Sequence, residues 1–195
     1  TKIKIQAHGY SKFYHDIFYP IRNKMLNIIE LGSFYGNASA ALFFYFKNSK
    51  IYSADINPDM FRYKSDRIEN LYVNSSSVLS IKNEIINRNI KFDIIIEDAS
   101  HMLKDQIISL FYLFPILNEG GYFIVEELDF PETREDMRID HLAPDLKTIL
   151  LNILENKDFN SPYIDEKNKK YFLDNIESIK IFRGNINEIA ILKKK

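Results

Sequence analysis

Two acidic strand ends and a glycine turn carry the first chemistry in this chain. The run Asn27-Ile28-Ile29-Glu30-Leu31-Gly32-Ser33-Phe34-Tyr35-Gly36 reads as a buried strand that ends in a glycine turn and opens a helix at Asn37. An acidic strand end, Asp55, follows about twenty residues later, which is the layout of a nucleotide-type cofactor pocket. Gly32 and Gly36 let the backbone approach a ligand without side-chain obstruction. Asn37 is expected to cap the following helix. Glu30 can bind the amino group of a ligand or hold the loop. Asp55 can accept hydrogen bonds from both ribose hydroxyls. A second cluster, Glu97-Asp98-Ala99-Ser100-His101, supplies chemistry beside that pocket.

The turn discriminates between cofactors. A dinucleotide fingerprint reads G-x-G-x-x-G, and here Phe34 stands where the middle glycine would admit a pyrophosphate. A phosphate-free nucleoside with an amino-acid tail fits better, and S-adenosylmethionine is that ligand. Its expected contacts are Glu30, Gly32, Ser33, Gly36, Asp55, Ile56, Ser75, Ser76 and Asp98.

Strand-like apolar runs alternate with helical stretches, and these elements must position the two clusters. Strands are expected at 28–31, 50–55, 71–73, 92–97 and 122–125, with helices at 37–47, after Pro58, at 78–88 and at 103–117. The nearly continuous apolar run 92–97 suits a central parallel strand buried on both faces. Asn118-Glu119-Gly120-Gly121 reads as a helix stop. After Glu127 the pattern changes: 128–140 is charged, 144–154 looks like an amphipathic helix, and 157–170 is polar and expected to be exposed. Strands at 176–182 and 188–193 flank Arg183-Gly184-Asn185, a hairpin signal. The alternation implies an α/β fold, doubly wound, with a mostly parallel seven-stranded Rossmann-like sheet, an antiparallel C-terminal strand and helices on both faces. Residues 1–195 are expected to form one domain, with 1–26 covering the cofactor and 128–170 forming a substrate lid.

Composition bounds the function. The chain has 195 residues, 46% hydrophobic and 27% charged, with a formal net charge of −1. No global basic field points to nucleic acid. With no cysteine, disulfides, zinc fingers and thiol nucleophiles drop out, and a cytoplasmic location is favoured. No apolar run is long enough to span a bilayer, so no membrane partner is expected. The start lacks a signal-peptide core. Thr1 is not methionine, so a few native residues are expected to precede it. A homodimer is a reasonable expectation.

These residues resemble the class I S-adenosylmethionine-dependent methyltransferases, and in particular the macrocin and mycinamicin type of sugar O-methyltransferase with related bacterial glycan enzymes. The resemblance covers roughly residues 8 to 130. It is carried by His8-Gly9-Tyr10-Ser11-Lys12, Glu30-Leu31-Gly32, Gly36, Asp55-Ile56-Asn57, the block Phe92 to His101, Leu113-Phe114-Pro115 and Gly120-Gly121-Tyr122-Phe123-Ile124-Val125-Glu126-Glu127. In that branch the pattern is close to D-G-S-H followed by I-E-D. Carried over, Asp98, Glu126 and Glu127 are magnesium ligands, and His101 is the general base with Asp98 beside it. The departures are Ala99 for a glycine, Glu127 for an aspartate, Asp105 where a second histidine often occurs, and Asn74-Ser75-Ser76-Ser77 for an acidic segment that faces adenine. Leu128-Asp129-Phe130-Pro131 also replaces a threonine- and tryptophan-containing run.

The residues themselves bear this chemistry. Three carboxylates at neighbouring strand ends suit Mg²⁺ or Ca²⁺ rather than zinc, or are simply solvated acids. A neutral imidazole with an unperturbed pKa of about 6.5 can take a hydroxyl proton near working pH. Lys12, Tyr14 and His15 close over the cofactor or pack at the surface. His8 and His141 read as surface or packing residues, and Arg134 and Arg138 fall in the expected lid. The reading is an O-methyltransferase acting on a hydroxyl of a sugar or similar small polar acceptor, in glycan or natural-product biosynthesis. Two alternatives stand beside it: an NAD-dependent oxidoreductase on a related sheet, and a non-catalytic S-adenosylmethionine-binding subunit.

Overall fold

The computed structural model describes residues 8–138 and 143–195; His141 and the first seven residues of the expected N-terminal cover lie outside them. Seven strands form one sheet in the order β3-β2-β1-β4-β5-β7-β6. They are β1 (Asn27–Leu31), β2 (Lys50–Asp55), β3 (Ile68–Tyr72), β4 (Phe92–Glu97), β5 (Leu117–Val125), β6 (Ile176–Arg183) and β7 (Glu188–Lys194). Strands β1 to β5 pair in parallel, and β7 runs antiparallel to both β5 and β6. The helices are α1 (Ser11–Phe18), α2 (Asn37–Tyr45), α3 (Val78–Glu84), α4 (Leu103–Leu113), α5 (Phe130–Thr133), α6 (Leu146–Asn156) and α7 (Glu166–Asn175).

The sheet is buried on both faces, and its central strands carry apolar side chains at consecutive positions, Ile28-Ile29 in β1 and Ile94-Ile95-Ile96 in β4, not only at alternate ones. Successive side chains point to opposite faces. Ile28, Ile94, Ile96 and Ile124 enter one core with Phe18 and Phe46, while Ile29, Leu31, Ile95, Phe123 and Val125 enter the other with α4 and α6. All five strands thereby end at one edge, where the loops after β1, β2, β3, β4 and β5 meet.

Several local expectations change in the structure. The helix that was to run to residue 117 ends at Leu113, followed by a 3-10 turn over Phe114–Ile116. The pair Gly120-Gly121 lies inside β5, not at a helix stop. A Cβ at Gly121 would meet the backbone oxygens of Asn118 and Asp93 at 2.9 Å, so the glycine serves a close strand approach. The stretch after Pro58 is one 3-10 turn, Pro58–Met60. The helix from Val78 breaks at Ile85 and closes with a left-handed Asn89. Asn37 is not the cap of α2; Gly36 is, at φ 80°, and a Cβ there would strike the Phe61 ring at 2.2 Å.

The polar stretch 157–170 is not simply a solvated loop. Asp165 caps α7 by accepting the Asn168 N–H at 2.8 Å. Phe159 is buried and stacks on Phe111 at 4.8 Å, and Phe172 meets the same ring edge-on at 4.8 Å. Helices α6 and α7 thus cover α4, which explains why α4 is buried nearly all round. Two anchors in a charged run do not register as an amphipathic stripe.

Lys194 closes the fold. It is buried, and its ammonium donates to the Leu117 carbonyl at 2.7 Å and the Tyr171 hydroxyl at 2.9 Å. Hydrogen bonds to a charged group contribute about 1.5–3 kcal/mol. Lys194→Ala is therefore expected to lower unfolding free energy by about 2–3 kcal/mol, read as a shifted urea midpoint. A midpoint equal to that of the unmodified chain would refute this role.

Candidate active site

The site begins at a backbone contact. Gly32, at φ 85°, lies so close to the end of β4 that a Cβ on it would stand 2.1 Å from the Asp98 carbonyl oxygen. Its N–H donates to the Ala54 carbonyl at 2.8 Å, and Ser33 N–H to the same oxygen at 3.1 Å. The Asp55 carboxylate accepts the N–H of Phe34 and the N–H of Asn57, each at 2.8 Å. Phe34 sits at φ 46°, unusual for a residue of its bulk, and Asp55 helps hold it there. A carboxylate has about four acceptor positions, so Asp55 keeps capacity for ligand hydroxyls.

A cavity of about 400 Å³ opens above this contact. Gly32, Phe34, Asp55 and Ile56 line one side, Ser75 and Ser76 another, and Asp98, Ser100 and His101 a third. A second cavity of about 330 Å³ is lined by Glu30 and Ile96, Asn37 and Ala38 of α2, Tyr10 and Tyr14, and Glu126. Glu30 belongs to this second cavity. It is buried and accepts a hydrogen bond from Ser39 of α2, whose hydroxyl accepts in turn from Ser53 at 2.8 Å. Ser33 and Gly36 line neither cavity. Ser33 hydrogen-bonds the Glu30 carbonyl at 3.1 Å and shapes the turn.

Among the described residues, one group of three metal-ligand types has donor atoms within 4.8 Å of one another: Asp98, His101 and Glu127. His101 Nε2 lies 3.9 Å from Asp98 Oδ1 and 3.7 Å from Glu127 Oε2. His101 and Glu127 both adopt positive φ, 58° and 47°, so the loops after β4 and β5 are bent to bring them together. The Phe130 ring packs edge-on against His101 at 5.0 Å.

The three-carboxylate set read from the sequence is divided, and His101 takes the place of Glu126 in the group. Glu126 follows the parity of Ile124 toward the second cavity and accepts a hydrogen bond from the buried Tyr14 hydroxyl. Burial first, and the Glu126 charge second, push Tyr14 well above its ordinary pKa, so the phenol stays a donor.

Four residues not assigned from the sequence support this arrangement. His8 Nδ1 lies 3.0 Å from Glu127 Oε1. Gln106, fully buried on α4, donates to the Glu127 carbonyl at 3.1 Å. Asp105, also buried, accepts the hydroxyls of Ser76 and Ser100 at 2.6 Å each, tying two cavity-lining loops together. Asp105 was legible only as a departure from the family pattern. Glu97 lies fully buried beneath Asp98, and burial first, then the Asp98 charge, raise its pKa to about 8.

Two outcomes follow from these supports. Asp105→Ala is expected to weaken S-adenosylhomocysteine binding by about tenfold, or ~1.4 kcal/mol, by calorimetry; unchanged affinity would remove Asp105 from loop positioning. For Glu97, the folded chain holds a proton that the unfolded chain releases above its ordinary value of 4.5. Stability should then fall as pH rises from about 4.5 to about 8 and level off above. Glu97→Gln should flatten that slope in melting curves, and an identical slope in both proteins would contradict the assignment.

No family model matches the chain. It is 28% identical over 128 residues to the 8-demethyl-8-alpha-L-rhamnosyl tetracenomycin-C 2'-O-methyltransferase of Streptomyces olivaceus, spanning 62% of this chain and 33% of that protein. A 3'-O-methyltransferase of the same organism, acting on the 2-methoxy-rhamnosyl form, is 27% identical over 128 residues, covering 62% and 32%. The chain spans about a third of the length of these curated relatives. Among solved structures, the MycE methyltransferase of the mycinamycin biosynthetic pathway, in complex with Mg and SAH, superposes with a TM-score of 0.74 at 20% identity, covering 95% of this chain and 49% of that one. A Streptococcus mutans methyltransferase bound to SAH follows at TM-score 0.58 and 12% identity, covering 95% and 97%. The chain resembles sugar O-methyltransferases in sequence and has the class I S-adenosylmethionine-dependent methyltransferase fold.

Proposed function

We propose that this chain is the catalytic unit of an S-adenosylmethionine-dependent O-methyltransferase acting on a sugar hydroxyl. One observation carries the reading: His101 and Asp98 line the 400 Å³ cavity and also belong to the group with Glu127. A base and an acid therefore stand at the wall of a nucleoside-sized pocket, with Glu127 3.7 Å from the base. The curated relatives are named as rhamnosyl 2'-O- and 3'-O-methyltransferases, which supports a small sugar-bearing acceptor.

The nucleoside belongs in the first cavity, with its ribose toward Asp55, its base between Ile56 and the Ser75–Ser76 side, and its amino-acid end toward Glu30, Asn37 and Tyr14. S-adenosylmethionine supplies a methyl on a positively charged sulfur, which leaves as a neutral thioether when the acceptor oxygen takes the methyl. His101 takes the hydroxyl proton. Asp98 and Glu127 flank the imidazole and favour the cation that this transfer creates. Phe130 limits the ring's rotation and screens one side from water. Orientation of the two reactants supplies a large share of the rate.

The two carboxylates of the group also fit a divalent cation: Asp98 and Glu127 converge beside the imidazole, with Glu126 one residue away. Asp98 and Glu127 would hold it, joined by Glu126 if that side chain leaves Tyr14, and the cation would orient the acceptor oxygens and ease loss of a proton. We assign magnesium, as hard oxygen donors favour it, and a role in carbohydrate biosynthesis. Residues 8–26 cover the cofactor and 128–170 supply the acceptor side, within one domain. The protein works in the cytoplasm, with no nucleic-acid or membrane partner, as a homodimer. No helix of the described residues is long and apolar enough to cross a membrane. The nicotinamide alternative finds no support in the turn, where Phe34 fills the position a pyrophosphate needs.

His101→Ala is expected to lower turnover by ~10²–10⁴ on a verified sugar acceptor, with S-adenosylhomocysteine affinity nearly unchanged. Turnover that survives the substitution would take the imidazole out of the mechanism.

A further inference from the structure

The N-terminal strap and the C-terminal hairpin meet at the active site, far apart as they are in sequence. His8 Nδ1 stands 3.0 Å from Glu127 Oε1, while the other oxygen of that carboxylate faces His101 at 3.7 Å. A carboxylate only accepts, so Nδ1 donates in the tautomer that makes this contact a hydrogen bond; the Asn187 side-chain nitrogen also lies 3.4 Å from Nδ1, the longer of the two contacts. The imidazole thereby takes one oxygen of Glu127 and directs the second toward Asp98 and His101. Glutamate has one more rotatable bond than the aspartate of the related pattern, and this contact removes that freedom.

The turn between β6 and β7 holds His8 in place. The Asn185 N–H donates to the His8 carbonyl at 2.8 Å. Gly184 passes so close that a Cβ would lie 2.2 Å from that same carbonyl oxygen. The Tyr10 hydroxyl donates to the Glu188 carbonyl at 3.1 Å, and the Leu128 N–H reaches the same oxygen at 3.0 Å. One short stretch, 184–188, thus fastens both the strap that carries His8 and the segment that follows Glu127.

We propose that His8 is a positioning residue for Glu127, set by the β6–β7 turn, and that it makes this glutamate a single-oxygen ligand for a divalent cation. The inference rests on the reading above that Asp98 and Glu127 hold such a cation. It assigns to the terminal hairpin a part in the chemistry of the opposite end of the chain. Partners that orient a metal ligand without touching the metal typically change affinity by about 10–100-fold when removed.

The test is Mg²⁺ binding by calorimetry in the presence of S-adenosylhomocysteine, with Mn²⁺ binding followed by electron paramagnetic resonance. His8→Ala is expected to weaken both by about 10–100-fold. His8→Asn, which keeps an N–H donor near the place of Nδ1, should recover most of the loss. Gly184→Ala should shift affinity in the same direction as His8→Ala, because its new methyl displaces the His8 carbonyl. S-adenosylhomocysteine affinity without metal should stay level in all three and reports that each is folded. If the unmodified protein binds the cation and His8→Ala binds it equally well, the positioning role is wrong and the metal site stands. If the unmodified protein takes up no cation, the metal site and this inference fall together.

Discussion

The contact between Gly32 and the backbone of Asp98 is the constraint on which the site depends. Only a hydrogen fits at the Gly32 Cα, because a methyl would sit 2.1 Å from the Asp98 oxygen. With that hydrogen, the ends of β1 and β4 close together, and the glycine turn after β1 lies directly beside the loop that carries Asp98 and His101. Any larger residue would force the two loops apart. The cavity wall and the group of Asp98, His101 and Glu127 would then cease to share a surface.

Around that contact, polar groups are buried that a pure core would exclude. Glu30, Glu97, Asp105 and Gln106 are all nearly inaccessible. Each costs desolvation unless it is neutral or hydrogen-bonded. Glu30 is met by Ser39, Asp105 by two serine hydroxyls, and Gln106 by the Glu127 carbonyl. Glu97 answers differently, by holding its proton. The sheet edge is thus a place where folding stability is exchanged for fixed side-chain directions. The positive φ values of Phe34, His101 and Glu127 belong to the same exchange.

Much of the scaffold was legible because burial writes itself into hydropathy. A strand buried on both faces carries consecutive apolar residues, and Phe92–Glu97 does at Ile94, Ile95 and Ile96. The hairpin of β6 and β7 was legible from its turn residues, and the acids at strand ends from their place after apolar runs. The helix α7 was not, since Phe172 is its one fully buried residue, with Tyr171 and Leu173 beside it, and its first half is charged and polar. Nor was the break of α4 before β5, where a glycine pair that usually ends helices instead relieves crowding between strands.

The sequence by itself determined the parallel sheet, the glycine turn, the acid of β2 and the cluster after β4, because these depend on local periodicity and residue type. Tertiary structure decided which side chains meet. Glu126 and Glu127 are neighbours in the chain, yet one faces Tyr14 and the other faces His8 and His101. His8 reaches its partner across more than half the chain because a hairpin near the other terminus holds it there. Such pairings depend on the direction of each Cα–Cβ bond and on backbone held at positive φ. No pattern of residue types along one chain encodes them locally; they exist only once the strands are laid side by side.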